Sequence, residues 1–193
     1  MNGSNNINMK DFINIRDIEN IQKLDTEYDL QKALLMDRKL RLMVEDDSSL
    51  KPIQVKLFNL IHEYESKNWS QSESITDEQI EDTENAELLV EIERIFLLQR
   101  KDTIKKRLKS YDMTQQDLGV LLGHKKSYMS ELMNGVSQLS LKDLIIIHRL
   151  LNIELSKLIP TYLQNETRDR VNKSILMLNK PKLRLRKKDL IIN

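Results

Sequence analysis

Apolar residues recur along most of this chain at the three- and four-residue spacing of a helix face, and two-residue alternation is confined to one stretch near the end. Residues 1–15 are polar, Asn-rich and weakly periodic, which predicts a flexible N-terminus. Ile18 and Ile21 mark a short helix within residues 15–24. Thr26 and Asp29 have capping-box spacing, and Leu30, Ala33, Leu34, Met36, Leu40 and Met43 carry a helix to about Val44. Asp46, Asp47 and Ser48 interrupt it. Ser49 or Leu50 opens the next helix, with Pro52 in the first turn, where its missing N–H does no harm, and Ile53, Leu57, Leu60, Ile61 and Tyr64 as its stripe. The short break predicts an antiparallel helical hairpin over residues 16–66.

The polar, acidic run SKNWSQSESITDEQIED predicts a connection over residues 67–84, with Trp69 anchoring it to a helix or meeting a partner. Helical periodicity resumes through Leu88, Leu89, Ile92, Ile95, Phe96 and Leu97, then Ile104 and Leu108. Asp102 or Thr103 offers a cap for a fresh helix; one unbroken helix fits the pattern equally.

Residues 113–135, MTQQDLGVLLGHKKSYMSELMNG, hold two short helices around a tight turn. Thr114 with Asp117 makes a capping box, Leu118, Leu121 and Leu122 share a face, and Gly123 supplies a left-handed turn. A second helix over residues 125–134 carries Tyr128, Met129, Leu132 and Met133, with Gly135 as its stop. This spacing predicts a helix-turn-helix whose second helix enters the DNA major groove. Ser140 with Asp143 opens a third helix, LIIIHRLLNI, which Asn152 ends in the left-handed conformation. That helix is apolar on more than one side, so a second copy, the N-terminal helices or the tail must cover the face the bundle leaves open.

The net charge of +1 conceals a partition. Residues 1–94 carry 11 Lys+Arg against 21 Asp+Glu (−10), residues 95–165 carry 11 against 6 (+5), and residues 166–193 carry 9 against 3 (+6). An acidic first half beside a basic helix-turn-helix predicts two different partners. The tail, residues 164–193, ends in KPKLRLRKKDLIIN, which suits a strand or a disordered basic arm gripping phosphates. Few glycines, prolines and aromatics argue against a sandwich or barrel, and the lack of cysteine removes disulfides and Cys-based zinc. His62, His124 and His148 stand far apart without carboxylates at metal-binding spacing; His148 reads as a packed, hydrogen-bonded residue. The chain has no nucleotide or nucleophile fingerprint, so neither an enzyme nor a cofactor is expected. Without a signal-like start or a membrane-length apolar run, the reading is cytoplasmic, with no membrane partner.

Thr114, Gln115, Leu118, Gly123, Ser127, Met129, Ser130, Asn134 and Gly135 resemble the pattern of the Xre/Cro/C1 family of DNA-binding domains. The composition and periodicity predict an all-α chain with the N-terminal hairpin, and the resemblance implies that the rest is a lambda-repressor-like helix-turn-helix bundle of about five short helices over residues 85–163. It implies base contacts from Lys125, Lys126, Ser127, Ser130 and Glu131, and phosphate contacts from Gln115, Tyr128, Asn134 and Ser137. Lysine there suits guanine, and Glu131 suits cytosine N4. A wider resemblance, to HigA-type antitoxins of toxin–antitoxin pairs, rests on Ile61, Tyr64 and Glu65, then Asn134, Gly135, Leu139, Ser140 and Leu141. It departs from that family in its longer connection and in the residues beyond Pro160. The resemblance implies a homodimer that reads a double-stranded operator, represses its own operon and neutralises a basic, HigB-type mRNA-cleaving toxin. The rival reading is a phage-type or metabolic repressor with no toxin partner.

Overall fold

The computed structural model describes residues 15–69 and 75–186 of the chain, and these form eight α-helices and two 3-10 turns with no strand. Helix α1 (Ile15–Asn20) leads to α2 (Glu27–Asp46), which Thr26 opens: its hydroxyl accepts from the Asp29 amide while the Asp29 carboxylate accepts from Thr26 N–H. The expected break falls at Asp47, which caps the 3-10 turn Ser48–Leu50. Helix α3 (Lys51–Asn68) then returns, with Pro52 in its first turn. Ile18, Leu30, Ala33, Leu40, Leu57 and Ile61 form the core of this hairpin. Each buried Leu or Ile among them contributes about 1.5–3 kcal/mol.

Helix α4 (Asp77–Ser110) is a single helix of 34 residues, which decides between the one-helix and two-helix alternatives. It starts inside the segment expected to be a connection, because Thr76 and Gln79 close a capping box there. Residues 70–74 lie outside the described residues, as do residues 1–14 of the flexible start expected over 1–15 and the last residues of the tail, 187–193. Asp102 and Thr103 continue α4 and cap nothing.

The middle of α4 packs on α2 through Tyr28, Ala86, Leu89 and Val90, with Tyr162 joining from beyond the bundle. The Tyr28 hydroxyl donates to the Glu93 carboxylate, and Lys32 Nζ lies 3.3 Å from the same carboxylate. Burial, then Glu93, pushes the Tyr28 phenol well above the usual tyrosine range. The hairpin is thus seated on the helix whose last turns enter the second core.

That core joins Ile104 and Leu108 of α4 to α5 (Gln115–Leu122), α6 (Lys126–Met133), α7 (Leu141–Leu151) and Leu158 after the 3-10 turn Leu155–Lys157. The bundle is therefore the end of a long helix, three short helices and a 3-10 turn. Arg100, buried and lying over the Phe96 ring, donates from Nη1 to the Leu158 carbonyl at 3.4 Å and ties the end of the bundle to α4. Past Tyr162, α8 (Asn165–Met177) forms within the first part of what the sequence suggested as a tail. The Asn172 amide both donates to the Leu185 carbonyl (2.9 Å) and accepts from its N–H (3.0 Å), holding the following segment against α8.

Candidate nucleic-acid interface

The pair α5 and α6 is built from local chemistry outward. Thr114 Oγ1 accepts from the Asp117 amide at 3.2 Å, and Asp117 Oδ2 accepts from Thr114 N–H at 2.7 Å, so the first turn of α5 is closed. The Thr114 amide and hydroxyl hold the Asp117 carboxyl below the usual carboxylate range. Gly123 ends α5 at φ 76°, where a side chain would be strained, and Asn152 ends α7 at φ 49°.

Leu118, Leu122, Met129, Leu132 and Met133 face the core, and Leu121 is exposed. Gly119 sets how near the two helices come: a Cβ there would stand 3.2 Å from the His124 carbonyl oxygen and 3.4 Å from Met129 Cβ. Periodicity does not reveal this role, since Gly119 falls inside a helix where glycine is otherwise unfavourable.

The turn is braced from a third helix. His124 Nε2–H donates to Asp143 Oδ1 at 3.1 Å, and Asp143 also closes the Ser140 capping box that starts α7. Burial raises the Asp143 carboxyl, but the hydrogen bonds from Ser140 and His124 outweigh it and hold the group below the usual range. The His124 ring meets the Tyr128 ring edge-on, with centroids 5.1 Å apart. His148, expected to be packed and hydrogen-bonded, donates from Nδ1 to the Ile153 carbonyl at 2.6 Å.

On the outer face, Lys125 is the N-cap of α6 without a side-chain cap bond, and Lys126, Ser127 and Tyr128 follow it, all exposed. Ser130 and Glu131 are half-buried one turn on. The Glu131 carboxylate accepts from the Ser137 hydroxyl at 3.1 Å, and its carbonyl accepts from Val136 N–H at 2.9 Å, so the loop after α6 folds back on the helix. The Asn134 amide reaches Ser130 Oγ at 3.5 Å. Gln115 stands half-buried at the first position of α5. The acidic first half is not one patch: Asp46 and Asp47 close α2, whereas Glu63 and Glu65 lie at the other end of the hairpin, where Glu63 shares a groove with Lys23 and Lys67.

Two short helices around a left-handed turn, the first closed by a capping box and the turn joined to a third helix by the His124–Asp143 hydrogen bond, define a helix-turn-helix domain. Residues 104–158 match the helix-turn-helix family HTH_3, of the Xre/Cro/C1 type, and this domain suggests a DNA-binding transcription regulator. Neither the comparison with curated proteins nor that with solved structures gave a match. Among the described residues no helix is long and apolar enough to cross a membrane.

Proposed function

We propose that this chain is a sequence-specific DNA-binding regulator that lays α6 in the major groove of a double-stranded operator. The observation that carries the reading is the run Lys125, Lys126, Ser127, exposed at the start of a helix whose buried face and preceding turn are fixed. In this reading Lys125, Lys126, Ser127, Ser130 and Glu131 meet base edges. Gln115, at a helix N-terminus, meets a phosphate together with Tyr128, Asn134 and Ser137. The regulator acts as a homodimer on two half-sites.

The finer role we propose is that of an antitoxin, which represses its own operon and covers a basic HigB-type mRNA-cleaving toxin with its first half. Supporting it are the −10 charge of residues 1–94 and the marks at Ile61, Tyr64 and Glu65. A second reading, a repressor with no toxin partner, is favoured by the Tyr28–Glu93 seat, which gives the hairpin a structural role on α4. The test has two arms. Binding of the DNA upstream of the chain's own coding region in preference to a scrambled duplex supports the regulator; equal affinity removes it. Co-purification with the product of an adjacent small basic reading frame, and rescue of cells from it, supports the antitoxin; failure of both leaves the repressor.

A further inference from the structure

Helix α4 carries two apolar faces. Ala86, Leu89, Val90, Ile104 and Leu108 are buried against α2 and the helix-turn-helix core. Leu88, Ile92 and Ile95 follow one another at four- and three-residue steps on roughly the opposite side, and Leu88 and Ile95 remain 48% and 39% exposed. Gln99, exposed, continues that line. Together they occupy the middle of the helix, centred on the Glu93–Arg94 peptide.

The charges divide at the same point. Residues 77–93 contain eight Asp and Glu and no Lys or Arg, while residues 94–110 contain seven Lys and Arg and one Asp. We propose that this face pairs with α4 of a second copy, antiparallel, about a two-fold axis passing between Glu93 and Arg94. A parallel pair would set acid against acid and base against base; the antiparallel pair sets each acidic half against the partner's basic half, twice over, as an isologous contact does. Ile92 of one copy then faces Ile95 of the other, and Leu88 faces Gln99. The partner's acidic first turns come to rest beside a groove of about 300 Å³ lined by Asp102, Thr103, Lys106, Ser156 and Lys157, where two lysines meet them.

The exposed apolar residues of α7 do not compete for this role. Leu141 and Ile145 lie on one side of that helix and Leu150 nearly opposite, so they make no continuous stripe. The pairing also sets a distance. The midpoint between Ile104 and Leu108, where α4 enters the helix-turn-helix core, falls about 37 Å along the axis from its counterpart at about 1.5 Å per residue, close to the roughly 34–36 Å between half-sites one DNA turn apart. This last agreement rests on the DNA-binding reading; the pairing itself does not.

The chain has no cysteine, so single spin labels can be placed cleanly. Pulsed dipolar spectroscopy on the full chain without DNA, labelled at Glu87→Cys or Lys109→Cys, is expected to give axial separations of about 20 Å and about 46 Å. Equal short separations would mean a parallel pair, and no coupling at tens of micromolar would mean a monomer; either overturns the proposal. Leu88→Glu with Ile95→Glu is expected to abolish the coupling and weaken dimerisation at least tenfold with helix content unchanged. Lys105→Glu with Lys106→Glu, at exposed positions, should weaken it through charge alone, an effect that shrinks in high salt. Coupling that persists through both variants overturns the interface. The measured separations with no operator binding would sink the DNA-binding reading and leave the dimer standing.

Discussion

His124 and Asp143 stand 19 residues apart and are joined by a 3.1 Å hydrogen bond that fixes the turn between α5 and α6 to the first turn of α7. Asp143 accepts from the Ser140 amide with the same carboxylate, so one group holds both the cap and the turn. Asp143→Ala should therefore cost about 1–3 kcal/mol, as loss of a cap bond and of a buried partner does. Urea unfolding of the variant against the native chain checks it.

The same carboxylate gives a pH dependence of known sign. Its folded pKa is depressed, so its contribution is complete above the ordinary carboxylate pKa of about 4 and is lost as pH falls below it. The acid limb of a stability-against-pH curve should flatten in Asp143→Asn. An unchanged limb would show that the pair does not contribute.

Gly123→Ala should destabilise the domain by roughly 1 kcal/mol through backbone strain alone, since φ is 76° and no atom lies within 4 Å of the added Cβ. Gly119→Ala should instead push α5 and α6 apart, and so lower DNA affinity beyond its effect on stability. Thermal unfolding paired with a DNA-binding titration separates the two cases.

Tyr28→Phe removes the hydroxyl that donates to Glu93 and should cost about 1 kcal/mol at neutral pH. The Tyr28 phenol is raised on folding, so its contribution is complete below the ordinary tyrosine pKa of about 10 and fades as pH rises above it. The alkaline loss of stability should be smaller in the variant. Chemical unfolding at neutral and alkaline pH measures both.

What the sequence made legible is chemistry that closes within three or four residues: the capping boxes at Thr26, Thr114 and Ser140, the left-handed ends at Gly123 and Asn152, and the apolar faces of α2, α3 and α6. The length of α4 was not legible, because Asp102 and Thr103 are cap-forming residues that here sit mid-helix, where core contacts at Ile104 override their preference. Its true start did carry a signal, the Thr-x-x-Gln spacing of Thr76 and Gln79, inside a stretch whose acidity suggested a connection. Helix α8 buries none of its described residues and leaves Leu176 and Met177 exposed, so it has no core-facing stripe to mark it. In the helix-turn-helix domain the motif positions could be read one by one, but the His124–Asp143 bond there, and the Tyr28–Glu93 seat outside it, join residues that no local pattern connects.

The central claim is that α6 reads base sequence. Lys126→Ala with Ser127→Ala should remove contacts worth about 1–3 kcal/mol each while leaving stability unchanged, since both side chains are exposed. The direct measurement is fluorescence anisotropy at fixed physiological salt, comparing the selected or upstream operator with a scrambled duplex. The native chain should prefer the operator by at least about 10³-fold, and the double variant should lose most of that preference while keeping its affinity for the scrambled duplex to within about tenfold. A native chain that binds both duplexes alike, or a double variant whose preference is intact, would contradict the account.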